Sequence, residues 1–98
     1  MLITLNSDQV AKLLMARTGL RYDYRAIYKR LVTRVPGYCP VRPLHTRLSG
    51  RKNGVVIDAR DYARFESWIA DRPLADCPDL TAAELESVGA KTAAQQAA

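Results

Sequence analysis

The chain has 98 residues, of which 48% are apolar and 26% charged, with a net charge of +5. That is enough for one domain with a modest core, and too little for a second lobe around a deep cleft. No apolar run approaches the roughly 18 residues of a membrane span, and the start "MLITLNSDQ" lacks the charged and long apolar regions of a signal peptide, so no membrane partner and a cytoplasmic location are expected.

Asn6 or Ser7 can cap a first helix, and Asn6 with Gln9 has the spacing of a capping box. The helix is predicted to run to about Ala16, burying Val10, Leu13 and Leu14 with Ala11 and Met15 at its margins. Gly19 then suits a helix C-terminus and Asp23 can cap a second helix, predicted from about Tyr24 to Arg34 and ended by Pro36-Gly37. Its apolar residues at helical spacing are Tyr24, Ile27, Tyr28, Leu31, Val32 and Val35.

Pro40 and Pro43 exclude a helix from the next segment. "LHTRL" alternates, "VVI" is β-branched, and Asn53-Gly54 lies between them, predicting a two-stranded hairpin, about Leu44–Leu48 and Gly54–Ile57. Asp58 can cap a third helix, "ARDYARFESWIADR", whose Tyr62, Phe65, Trp68 and Ile69 face the core. Thr81 with Glu84 caps a short further helix, and from about Gly89 the Ala- and Gln-rich end is expected to fray. The domain division is thus residues 1–72 and a tail, residues 73–98.

Charge is concentrated. Residues 17–52 carry ten basic side chains against one acid, Asp23, whereas the segment beyond is acidic on balance. A block of that sign points to a polyanionic partner. On the second helix Arg25 and Lys29 are four apart, as are Arg30 and Arg34, all opposite the Ile27–Leu31–Val35 stripe. Like charges at that spacing cost a few tenths of a kcal/mol without a partner. The order helix, turn, helix, basic-tipped hairpin, helix is a winged helix-turn-helix plan: mainly α, three core helices and a two-stranded wing. Double-stranded DNA is the partner that this plan fits, with the second helix in the major groove and Arg47, Arg51 and Lys52 along the backbone or minor groove.

The stretches "LNSDQVAKLL", "YRAIYKRL", "PVRPL" and "GRKNGVVIDARDYARFESWI" resemble the excisionase and MerR-like winged helix proteins of phages, plasmids and integrating elements. The resemblance spans about Leu5 to Ile69 and includes the closing signature of Ile57, Asp58, Asp61 and Trp68. It implies a small sequence-specific regulator or recombination directionality factor. Arg25, Lys29, Arg30 and Arg34 would lie on bases and phosphates, and Arg51 and Lys52 would be wing contacts. The longer first turn, "ARTGLRYD", departs from the family and makes Arg17 and Arg21 additional phosphate contacts. One such helix rarely suffices for tight specificity, so a homodimer or cooperative head-to-tail oligomer on DNA is expected.

Two alternatives keep the scaffold and change the role: a protein-binding adaptor or inhibitor, and the DNA-recognition part of a phage packaging (small terminase-like) protein. Catalysis is not expected. Cys39, His45 and Asp58 hold a nucleophile, a base and an orienter, but no spacing motif links them. No cofactor or metal is expected, since His45 is the only histidine and Cys39 and Cys77 form no CxxC.

Overall fold

The strand that organises the molecule has no turn signal beside it in the sequence. In the computed structural model, which describes residues 3–32, 39–45 and 55–92, Ile3–Asn6 forms β1. It lies between β3, Val55–Asp58, and β4, Lys91–Thr92, and β2, Leu44–His45, completes the order β2-β3-β1-β4. All three pairings are antiparallel. The β2–β3 pair matches the predicted strand pairing, with Leu44 opposite Val56, and the predicted turn between them lies outside the described residues. The two additional strands are the difference from the sequence reading: Leu5 opposite Ile57 joins the chain start to the centre of the sheet, and Thr4 opposite Lys91 draws in the C-terminal segment.

Helices dominate the rest. Asn6 ends β1 and caps α1, Ser7–Thr18, with its side chain accepting from the Gln9 N–H at 2.9 Å while Gln9 Oε1 accepts from the Asn6 N–H at 2.9 Å. Gly19 closes α1 at φ 79°, and its N–H reaches the Met15 carbonyl at 2.9 Å. The left-handed region is the reason glycine stands there. The turn is held by the Thr18 hydroxyl, which donates to the Leu14 carbonyl at 2.7 Å and accepts from the Leu20 N–H at 3.2 Å. Asp23 Oδ1 accepts from the Ala26 N–H at 2.8 Å, starting α2, Tyr24–Val32. The expected continuation to Arg34 lies outside the described residues.

After β3, Asp58 caps a 3-10 turn, Ala59–Asp61, which leads into α3, Tyr62–Ile69. A further 3-10 turn, Leu74–Asp76, precedes α4, Ala82–Ser87, whose Thr81–Glu84 capping box is formed as the spacing predicts. Among the described residues there are four α-helices and this one small antiparallel sheet.

The core joins Leu5, Val10, Leu13, Leu14, Ile27, Leu31, Val41, Ile57, Tyr62 and Phe65, all nearly inaccessible to solvent. Trp68 is half-buried at its edge, 5.9 Å from Phe65 between ring centroids. Met15 is exposed, and so are Tyr24 and Tyr28, at 38% and 37%, although helical spacing assigns both tyrosines to the core. The physical reason is that Ile27 and Leu31 alone point at α1, leaving the tyrosines one step round the helix on its flank.

Between Pro73 and Thr92 the described residues pack onto the core. Leu80, Leu85, Val88 and Ala90 pack against the core, Cys77 is buried, and Gln9 Nε2 donates to the Val88 carbonyl at 3.1 Å. No helix among the described residues is long and apolar enough to cross a membrane.

Candidate functional site

α2 divides cleanly by face. Ile27 and Leu31, at 0% and 1% exposure, fix it to α1, and the opposite side carries exposed Arg25 and Lys29. No acid lies on the helix. Arg25 Nε donates to the Tyr24 hydroxyl at 3.2 Å, and its guanidinium lies 5.6 Å from the Tyr24 ring centroid. That bond to Tyr24 raises the Arg25 pKa above its ordinary value, so the group is a permanent cation. Arg30 sits to one side, half-buried, with its guanidinium 4.6 Å from the Tyr22 ring centroid and Nη1 donating to the Ala26 carbonyl at 3.3 Å. It projects less freely than the sequence spacing suggests.

Arg21 is exposed in the turn before α2, beside a shallow groove floored by Ala11, Met15, Tyr22 and Tyr24. Arg42 is also exposed, held out by the burial of Val41 and Pro43 on either side. It belongs to the basic block, and its alternation with two buried neighbours is the sequence signal that marks it as outward-facing. Arg34, Arg47, Arg51 and Lys52, and with them the expected wing tip, lie outside the described residues.

Arg17 is the correction. Expected as a phosphate contact, its side chain is 11% exposed and turned inward. Arg17 Nε stands 3.3 Å from Glu66 Oε1 and 3.6 Å from Glu84 Oε2, Nη2 donates to the Pro78 carbonyl at 2.6 Å, and the guanidinium lies 5.4 Å from the Tyr62 ring centroid. Glu66 is 1% exposed and also accepts from the Tyr62 hydroxyl at 3.0 Å. A buried carboxylate needs a cation, and Arg17 is the one that α1 delivers. The cluster is structural in its geometry: burial, then the Glu66 charge, pushes the Tyr62 phenol well above its ordinary range, and burial with the Glu66 hydrogen bond raises the Cys77 thiol.

The electrostatic contrast is between these two regions. Lys12 pairs with Asp8, Arg17 with Glu66 and Glu84, Arg60 with Asp58 and Arg64 with Asp61. By contrast, Arg21, Arg25, Lys29, Arg30 and Arg42 have no ion pair among the described residues. Asp58, the acid of the imagined Cys39–His45–Asp58 trio, has both carboxylate oxygens bound by Arg60, with Oδ2 2.6 Å from Nη2 and Oδ1 3.1 Å from Nε. The chain matches no family model, no curated protein and no solved structure.

Proposed function

We propose that the protein is a non-enzymatic, sequence-specific double-stranded DNA-binding protein of winged helix-turn-helix type, with α2 as its recognition helix, acting as a small regulator or recombination directionality factor. The observation that carries this reading is that Arg21, Arg25 and Lys29, on α2 and in the turn before it, are exposed and have no ion pair among the described residues. A helix about 10–12 Å across fits a major groove. Arg25 and Lys29 stand one turn apart, about 6 Å along its axis, within reach of neighbouring base steps. Arg21 extends the cationic surface into the turn before the helix, where phosphates would lie.

Selection of bound duplexes from a random pool, followed by titration with salt, tests the reading. The expected result is a consensus, with log affinity falling linearly against log salt at about 0.9 per phosphate neutralised. Lys29→Glu is expected to abolish binding while leaving the thermal midpoint within a few degrees, because Lys29 is exposed. Recovery of no consensus with salt-insensitive affinity, or capture of an acidic protein in preference to any duplex, overturns it.

A further inference from the structure

The cations of α2 are not equivalent, and their differences lie in what the neighbouring tyrosines do to them. Lys29 is exposed and unrestrained, a flexible point charge. Arg30 is folded back over Tyr22 with one terminal nitrogen already donated to the Ala26 carbonyl. Arg25 is exposed and has a bonded orientation: the phenol of Tyr24 accepts from its Nε–H, and the guanidinium lies over the Tyr24 ring.

That arrangement leaves a specific part of Arg25 available. Guanidinium offers five donors in a planar fork. With Nε–H used, the Nη1 and Nη2 ends remain, and neither has a partner among the described residues. Two parallel N–H donors match the O6 and N7 acceptors that guanine alone presents together in the major groove. A side chain already held in one orientation loses less freedom on contact.

We infer that Arg25 reads a guanine through its two terminal nitrogens, and that Tyr24 is the positioning residue that sets its angle. This rests on the DNA-binding reading above and adds a base identity, a division of labour among the cations and a role for an exposed tyrosine. Arg30, by the same geometry, contacts phosphate.

The test uses the full chain and the duplex recovered by selection, with each guanine replaced in turn by 7-deazaguanine, which lacks the N7 acceptor. For the unmodified protein one position is expected to cost about 5- to 150-fold in affinity, the range for a good bidentate contact. In Arg25→Ala the affinity for the normal duplex falls by a similar factor, and the 7-deaza penalty at that position disappears. Tyr24→Phe keeps the ring and removes the phenol oxygen. It is expected to shrink the 7-deaza penalty several-fold while the thermal midpoint and the salt slope stay unchanged, a pattern that a merely structural residue does not give. Tyr28→Phe, with no hydrogen bond or ring contact to Arg25 among the described residues, leaves the penalty intact.

A consensus without guanine overturns the inference. So does a Tyr24→Phe variant with an unaltered 7-deaza penalty. Uniform weakening of all duplexes by Arg25→Ala, with the salt slope reduced by about 0.9, makes Arg25 a phosphate contact and overturns it as well. In those three results DNA binding itself survives. Retention of no duplex at all removes the functional reading and this inference together.

Discussion

Replacing Arg17 by alanine separates the structural account of the basic block from one based on sequence position. The substitution leaves the Glu66 carboxylate, 1% exposed, with the Tyr62 hydroxyl and the Cys77 thiol as donors and with no cation in place of the one now 3.3 Å away. It also removes the donor to the Pro78 carbonyl and the cation over the Tyr62 ring. Breaking a buried pair by deleting one partner costs about 3–5 kcal/mol. One arginine nitrogen, Nη1, is buried without a partner among the described residues, so deleting it recovers a little of that cost. Domains of this size have total stabilities of about 5–15 kcal/mol, and 1 kcal/mol corresponds to about 4–8 °C in midpoint. The thermal midpoint is therefore expected to fall on the order of 12–40 °C.

Urea unfolding followed by circular dichroism measures this, provided that the slope with denaturant is unchanged and only the midpoint moves. Glu66→Gln, which keeps an acceptor of the same shape, is expected to cost less, about 1–3 kcal/mol. The double replacement Arg17→Met with Glu66→Leu recovers most of the loss, since apolar groups of similar volume replace a buried pair at little net cost. Measured where Arg17→Ala remains folded, affinity for DNA and its salt slope should match those of the unmodified protein. A midpoint within about 3 °C of the original, together with a salt slope reduced by about 0.9, refutes the reasoning and returns Arg17 to the phosphate backbone.

The remaining predictions concern anchors, caps and protons. Ile27→Ala, at 0% exposure, is expected to lower stability by about 2–5 kcal/mol in urea unfolding, whereas Tyr28→Ala, at 37% exposure, should cost less than about 1 kcal/mol. Asp58 has its pKa lowered, first by the Arg60 hydrogen bond, so it contributes stability above the unfolded carboxylate range. That contribution is lost as pH falls through the lower folded value; Asp58→Asn should flatten this acid limb of the stability profile. Tyr62 and Cys77 are raised instead, so their neutral forms favour the fold below pH 9 to 10 and stability should decline as pH climbs past those unfolded values. The Cys77 thiol should therefore resist maleimide at neutral pH and react only as fast as the domain opens.

What the sequence revealed was chemistry acting over three or four residues. Asn6 with Gln9, Gly19, Asp23, and Thr81 with Glu84 each close a helix end through a neighbour, so spacing alone finds them. β1 was not legible, because "ITL" is too short for a period and its partners Val56, Ile57 and Asp58 lie half the chain away. Arg17 was misplaced for the same reason: Glu66, Pro78 and Glu84 are remote in sequence, and a count of charges by position cannot see them. A signal was nonetheless present. Glu66 falls within the Tyr62, Phe65, Ile69 stripe of α3, and a carboxylate on a buried face demands a cation from elsewhere.

That cation joins the two halves of the molecule. A nine-residue helix such as α2 is marginal alone and takes its rigidity from what it packs on, here α1 through Ile27 and Leu31. α1 is in turn gripped near both ends by the C-terminal segment, at Gln9 by the Val88 carbonyl and at Arg17 by Glu84 and the Pro78 carbonyl. Glu84 serves twice: Oε1 accepts from the Thr81 N–H at 3.0 Å while Oε2 faces Arg17, so the start of α4 and the end of α1 are fixed together. Glu66 and Glu84 neutralise Arg17, which faces inward, while Arg21, Arg25 and Lys29 are exposed with no ion pair among the described residues.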